Sequence, residues 1–210
     1  MEDVLEVYGR PVDPRRPLIC FDEAGKELQR DVRAGSGAPP GCPARQDYEY
    51  ARNGSRNLFL ACAPHLGWRR VTVTERRTAQ DFAHAVRQLV EEDFPDAERI
   101  VLVLDNLNTH KAASLYQTFP PERAQRLWRK LEVHYTPLHG SWLNLAEIEL
   151  AVLSRQCLDR RIPDAATLDR EVAAWTRARG SDATPISWRF TLADARTHLK
   201  EVYPVVPPDK

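Results

Sequence analysis

Asp22 and Asp105 each stand directly after a short apolar run, Leu18-Ile19-Cys20-Phe21 and Ile100-Val101-Leu102-Val103-Leu104. In sheets with helical crossovers, functional groups collect at strand ends, where side chains leave the core. If the two strands are neighbours, the carboxylates face each other across ~5 Å of strand spacing. Like charges that close repel unless a cation sits between them. Hard carboxylate oxygens with open positions favour Mg²⁺ or Mn²⁺. A two-metal site needs a third acid, and the helix that Ser141 opens offers Glu147 and Glu149. These are two apart and lie on different faces, so periodicity alone does not choose between them. Each signal also has an ordinary explanation: an Asp after a strand is often a turn or cap residue. The chemistry rests on the three together, in the order strand, strand, helix.

The remaining pattern supplies elements to position them. Residues 1–17 are polar and punctuated by Pro11, Pro14 and Pro17, and read as a lead-in segment. Leu58–Ala63 reads as a second buried strand and Arg69–Thr74 as a half-buried third, with Gly67 in the turn of a hairpin. Residues 34–47 read as a loop. Thr78 is placed to cap a helix reaching about Glu92, with Phe82, Ala85, Val86 and Leu89 on one stripe and Pro95 beyond its end. The five-residue apolar run at Ile100 predicts a central strand covered on both faces. Helices follow at about 111–118 and 121–130, then a strand at 132–135. Ser141 opens a helix to about Leu158, and Pro163-Asp164 opens another ending at Gly180. The tail, with Pro204, Pro207 and Pro208, reads as frayed. The expectation is an α/β fold, a mixed five-stranded sheet with helices on both faces. Residues 18–160 form its main domain and 161–210 a C-terminal helical extension.

Composition narrows the class. The 210 residues carry 30 Lys+Arg against 30 Asp+Glu, with 42% hydrophobic residues, which suits a folded globular chain. No run of ~18 apolar residues predicts a membrane span, and no apolar segment near the start resembles a signal peptide. Cys20, Cys42, Cys62 and Cys157 are scattered, which fits reduced thiols in the cytoplasm better than zinc or disulfides. The charge is uneven: residues 30–77 hold nine arginines against four acids, while residues 81–98 hold six acids and only Arg87. That predicts a surface with one basic flank.

Two segments carry a family resemblance. Leu104-Asp105-Asn106-Leu107-Asn108-Thr109-His110 resembles the second catalytic motif of IS630-type transposases of the Tc1/mariner superfamily. His134-Tyr135-Thr136-Pro137-Leu138-His139-Gly140-Ser141-Trp142-Leu143-Asn144-Leu145-Ala146-Glu147 resembles the third motif more specifically. Phe21-Asp22-Glu23 is similar to the first motif, and Trp188–Thr191, Asp194–Arg196 and Leu199–Pro204 are similar to the family's C-terminal end. The resemblance implies a DDE catalytic domain of RNase H-like fold. Its Asn-x-x-Glu step makes Glu147, not Glu149, the third acid beside Asp22 and Asp105. Family members usually begin with helix-turn-helix modules. Here the catalytic part starts almost at Met1, so the chain reads as a catalytic half. Asp105 and Glu147 lie 42 positions apart, longer than is usual in the superfamily, with the surplus placed at Phe119–Leu131.

The implied activity is metal-dependent phosphodiester cleavage and DNA strand transfer, with two Mg²⁺ or Mn²⁺ ions held by Asp22, Asp105 and Glu147. Glu23, Asn106, His110, His139 and Asn144 are expected in support. Of the tryptophans, Trp142 is expected to serve core packing before base stacking. Backbone contacts to DNA are expected from Arg30, Arg33, Arg52, Arg56, Arg69, Arg70, Arg76, Arg77, Arg126 and Lys130. The implied partners are transposon-end and target DNA, with a TA target and a homodimer in the active complex. Two other readings stay open: a silent or domesticated fragment that binds DNA or protein, and a nuclease of the same fold without transfer activity.

Overall fold

Ile100–Leu104 is buried at every position because both faces of the strand are covered. It forms β4, next to the middle of a five-stranded sheet. The structure is a computed structural model that describes residues 1–33, 41 and 47–202. The loop expected at 34–47 and the tail with Tyr203, Pro204, Pro207 and Pro208 fall largely or wholly outside the described residues, as does Cys42.

The other strands are β1 (Leu18–Asp31), β2 (Tyr50–Ala63), β3 (Trp68–Thr74) and β5 (Leu131–Tyr135), in the order β3-β2-β1-β4-β5. β1, β2 and β3 pair antiparallel, while β4 and β5 join parallel to β1. This is the expected mixed sheet. β1 and β2 are much longer than their apolar runs, at 14 residues each. Beyond Phe21 and before Leu58 they continue as a two-stranded ribbon whose polar faces meet solvent, a length that burial patterning does not signal.

Alternation along β1 divides the core. Ile19 and Phe21 face α2 (Ala79–Gln88), α3 (Ala112–Thr118) and α4 (Pro121–Arg129), in a cluster with Phe82, Val86, Leu115 and Leu127. Thr78 and Asp81 form a reciprocal cap at the start of α2. Cys20 faces the opposite side, with Leu60, Cys62, Val101 and Val103. That side is covered by α1 (Glu2–Tyr8), α5 (Ala146–Leu153), α6 (Ala165–Asp182) and α7 (Leu192–His198). Cys20, Cys62 and Cys157 are free and buried.

Two regions differ from the sequence expectation. Residues 1–17 contain α1, whose Val4, Leu5, Val7 and Tyr8 are buried against the sheet and α7. The acids Glu2, Asp3 and Glu6 that make the segment look polar occupy the outer face of one short helix. The third-motif helix does not start at Ser141. Ser141–Leu143 is a single 3₁₀ turn, Asn144 is extended (φ −84°, ψ 108°), and α5 begins at Ala146.

Tyr8 fastens that irregular entry. Its hydroxyl donates to Leu143 O at 2.5 Å and accepts from Leu145 N at 3.4 Å. Tyr8→Phe leaves a buried carbonyl and a buried amide without partners. We expect it to lower unfolding free energy by about 1–3 kcal/mol, measured by urea denaturation. An unchanged midpoint would refute the pinning role of α1.

Candidate active site

The sheet register brings the first two acids together. Cys20 on β1 is the Cα partner of Val103 on β4. Two residues further on each strand come Asp22 and Asp105, at the same level and on adjacent strands. Asp22 is not at a strand end, as its sequence suggests. It lies within β1, opposite Leu60 of β2, at the point where β4 stops and leaves β1 uncovered on that side. Asp105 begins the loop after β4.

Asn144 ties the third motif to the first. Its amide nitrogen donates to Phe21 O at 2.9 Å and to Asp22 Oδ2 at 3.2 Å. Its amide oxygen accepts from Ala146 N at 3.2 Å, capping α5. Glu147 N closes the turn onto Asn144 O at 3.0 Å. A single buried side chain therefore joins the strand bearing Asp22 to the first turn of the helix bearing Glu147. Glu23 N also donates to Asp22 Oδ1, at 2.8 Å.

The electrostatics couple all three acids. Burial, opposed by the bond from Glu23 N, raises Asp22 from 3.8 to about 7, and the negative charges of Glu147 and Asp105 push the same way. On the other side of β1, the buried His110 ring bridges two acids. Its Nε2 lies 2.6 Å from Glu23 Oε1 and its Nδ1 2.7 Å from Asp105 Oδ1. Burial disfavours the charged ring, but the bonds and charges of Asp105 and Glu23 prevail and raise it to about 9. His110 also rests against the Phe82 and Phe21 rings at 4.6 and 5.9 Å. Asp105 Oδ1 further accepts from Leu107 N at 3.3 Å, an Asx turn that steers the loop. Asn106, expected to hold this loop, is exposed. His139 is exposed at the tip of the Pro137–Gly140 turn, with φ 61°.

Residues 17–169 match the DDE superfamily endonuclease family. The chain belongs to that family. Among solved structures it is similar to the catalytic domain of Mos1 mariner transposase, at 12% identity over 87% of this chain and 80% of that one, with TM-score 0.56. It also matches the Mos1 strand transfer complex (17% identity, 87% and 53% coverage, TM-score 0.60) and the Mos1 paired end complex with Mn (16%, 87% and 54%, TM-score 0.56). In those two the chain spans about half the length of its counterpart. Comparison with curated proteins finds no match. The likeness fixes the fold as the RNase H-like fold of the Mos1 catalytic domain.

In this DDE domain the donor set fits divalent cations. Asp22 and Glu147 offer carboxylate oxygens, Asp22 is destabilised as an anion, and Asp105 keeps its second oxygen clear of His110. Among the described residues, no three His, Cys, Asp or Glu side chains stand close enough together to hold a metal ion as placed. Glu149, the alternative third acid, is 1% exposed and turned away from Asp22, paired with Arg69 at 3.0 Å and Arg179 at 3.1 Å.

The expected basic flank requires correction. Arg69 is buried on Glu149 and cannot reach DNA. Arg70 is largely buried, paired with Asp93 and lying 5.9 Å from the Trp68 ring centroid, with burial lowering it to about 10. Both precede solvent-facing arginines in sequence, which is why their run looks uniform. Lys130 donates to Ala97 O at the edge where β4 and β5 begin, opposite Asp105. Arg126, on α4, approaches Glu91 at 3.9 Å. Among the described residues, Arg33 pairs with Asp47 and Glu49 and Arg52 with Glu27, each from a largely exposed guanidinium. Arg76 and Arg77 are exposed just after β3, whose end lies level with Gly25 through Asn57, on Asp22's side of the sheet. Trp142 is 47% exposed rather than a core residue, and touches Phe190 edge-on at 5.9 Å.

Without metal, both raised groups make the native state hold protons more tightly than the unfolded chain. Asp22 stabilises the fold most below about pH 4, and that contribution is lost as pH rises to about 7. His110 contributes fully below its unfolded value near 6.5, and that contribution is lost as pH rises through about 9. Urea unfolding of the metal-free domain should show stability falling from pH 4 to 9. Asp22→Asn should flatten the limb below pH 7, and an unchanged slope would disprove its burial. His110→Ala, which leaves Glu23 and Asp105 without their cation, should cost about 3–5 kcal/mol at pH 6.

Proposed function

We propose that this chain is the catalytic domain of a DDE transposase of the IS630 type, which cleaves phosphodiester bonds and joins DNA strands. The observation that carries the reading is the raised affinity of Asp22 for a proton, which burial and the charges of Glu147 and Asp105 produce together. A carboxylate made costly as an anion by burial and by two other acids gains most from an added cation. Asp22, Asp105 and Glu147 are the residues that would hold two Mg²⁺ or Mn²⁺ ions. When bound, such ions lower the pKa of water and neutralise charge on phosphate oxygens. The Mos1 structures named with Mn and with Mg support the choice of metals.

The chain's own residues supply position. His110 orients Asp105 and stores positive charge behind it, with Glu23 fixing the far side of the ring. Asn144 sets the distance between β1 and α5. Asn106 and His139, both exposed at this end of the sheet, would meet the substrate rather than brace the acids. Phosphate contacts are assigned to Arg30, Arg56, Arg76 and Arg77, and to Arg33 and Arg52, whose solvent-exposed ion pairs are weak enough to exchange. The DNA named in the Mos1 paired-end structures supports a DNA substrate. A homodimer, a TA target and transposon-end DNA as partner follow from the resemblance, and a cytoplasmic location from the scattered cysteines. No helix among the described residues is long and apolar enough to cross a membrane.

The test is nicking of duplex DNA with Mn²⁺ or Mg²⁺ by the wild type and by Asp105→Ala. Loss of a metal ligand should lower the rate about 1,000-fold, since a catalytic metal supplies several kcal/mol. Equal rates would remove Asp105 from the mechanism, and an inactive wild type would favour the silent fragment. A joining assay with a pre-cut end separates a transferase from a simple nuclease. Arg76→Ala with Arg77→Ala should reduce the slope of log affinity against log salt by about 1.8 if both meet phosphates.

A further inference from the structure

We propose that Glu149 is a positioning residue, whose buried pairing with Arg69 and Arg179 sets the rotation of α5 and so the direction in which Glu147 leaves it. The inference rests on the proposed role of Glu147.

α5 is apolar at every position except Glu147 and Glu149. It has no single apolar stripe, so hydrophobic burial alone leaves its rotation poorly determined. The observed setting runs against burial. Ile148 is 42% exposed, while the next residue, Glu149, is 1% exposed. Exposing an isoleucine and burying a carboxylate reverses the usual preference. The three-way ion pair accounts for it. Glu149 Oε2 lies 3.0 Å from Arg69 Nε, and Oε1 lies 3.3 Å from Arg69 Nη2 and 3.1 Å from Arg179 Nη2.

Arg69 is itself immobilised. It sits on β3 opposite Cys62 and donates to Arg179 O at 2.8 Å and Thr184 O at 3.0 Å, at the C-terminal end of α6. Turning α5 to bury Ile148 would carry Glu149 out of this socket and leave the Arg69 charge buried without its counter-ion, an unfavourable exchange. Residues 147 and 149 are ~200° apart on a helix, so holding one inward holds the other at the rim. Asn144 fixes where α5 starts, and Glu149 fixes how it is turned.

The test uses Glu149→Gln, which keeps the shape and removes the charge, and Arg179→Gln, which removes the less buried cation and is the milder change. Three quantities are read: the unfolding temperature without metal, the Mn²⁺ concentration at half-saturation by calorimetric titration, and the nicking rate. Groups that orient metal ligands change metal affinity or activity by about 10–100-fold. Glu149→Gln should therefore raise half-saturation at least about tenfold and lower the nicking kcat, with KM for DNA little changed. Arg179→Gln should shift both in the same direction by less.

Adding Ile148→Gln to Glu149→Gln removes the apolar competitor for the core and should recover part of the metal affinity, which a general loss of stability would not allow. If Glu149→Gln fails to fold, Arg179→Gln decides. Wild-type metal affinity and kcat in every folded variant, or no rescue by Ile148→Gln where Glu149→Gln folds, overturns the inference while leaving the proposed function standing. A wild type that neither binds Mn²⁺ nor nicks DNA overturns both.

Discussion

The burial of one carboxylate, Asp22, among other acids is the constraint around which this site is built. Three acids come from β1, the end of β4 and the first turn of α5, and at Asp22 the charges of the other two add to the burial that already disfavours its anion. The domain compensates unequally. Asp105 has the His110 imidazolium at 2.7 Å, with Glu23 on the ring's other nitrogen. Asp22 has only dipoles, the Glu23 amide and the Asn144 side chain. The asymmetry appears as a histidine raised to about 9 and an aspartate raised to about 7. The uncompensated acid lies beside the end of β4 and beneath the start of α5, where added positive charge does most good.

This arrangement explains why both faces of the sheet matter to one edge of it. Side chains alternate along β1, so Asp22 and Glu23 leave on opposite faces. Asp22 goes with Cys20 toward α1 and α5, and Glu23 goes with Phe21 toward α2 and His110. The aromatic packing of Phe21 and Phe82 around His110 on one face, and the hold of Tyr8 on the third motif on the other, therefore act on neighbouring positions of the same strand. α1 and α7 belong to the same structure: Ala195 shares a cluster with Val4 and Leu5, and Arg196 grips Glu2 with two bonds of 2.8 Å.

The succession of strands and helices along the chain, and the burial of Ile100–Leu104 on both faces, are legible in the sequence because they follow from runs of apolar residues. What escaped depends on partners far along the chain. The ribbon formed by the outer halves of β1 and β2 is stabilised by pairing between strands and by Leu28, packed on distant Leu153, Ile162 and Leu168, while most of its residues are polar. The break at Asn144 looks like ordinary helix because Ser141, Trp142 and Leu143 suit a first turn, and bonds to Tyr8, Phe21 and Asp22, more than a hundred positions away, hold it open. Glu147 and Glu149 were equivalent by periodicity, and a resemblance separated them. Structurally, Arg69 separates them, by claiming Glu149.

The fate of the arginines bears on how a chain with no net charge could hold a polyanion. A count by sequence treats every guanidinium in residues 30–77 as available. Two of them, Arg69 and Arg70, are consumed inside the fold, one by the carboxylate that turns α5 and one by Asp93 under Trp68. Positive potential outside comes from those left exposed, and what counts is where the sheet delivers them. Arg76 and Arg77 emerge at the end of β3, and Arg56 stands on β2 opposite Lys26, a little above Asp22. Arg69 bears on the helix that carries Glu147, and the external arginines border the site. Exchanging Arg69 would therefore disturb metal affinity before DNA affinity, and exchanging an external arginine would do the reverse.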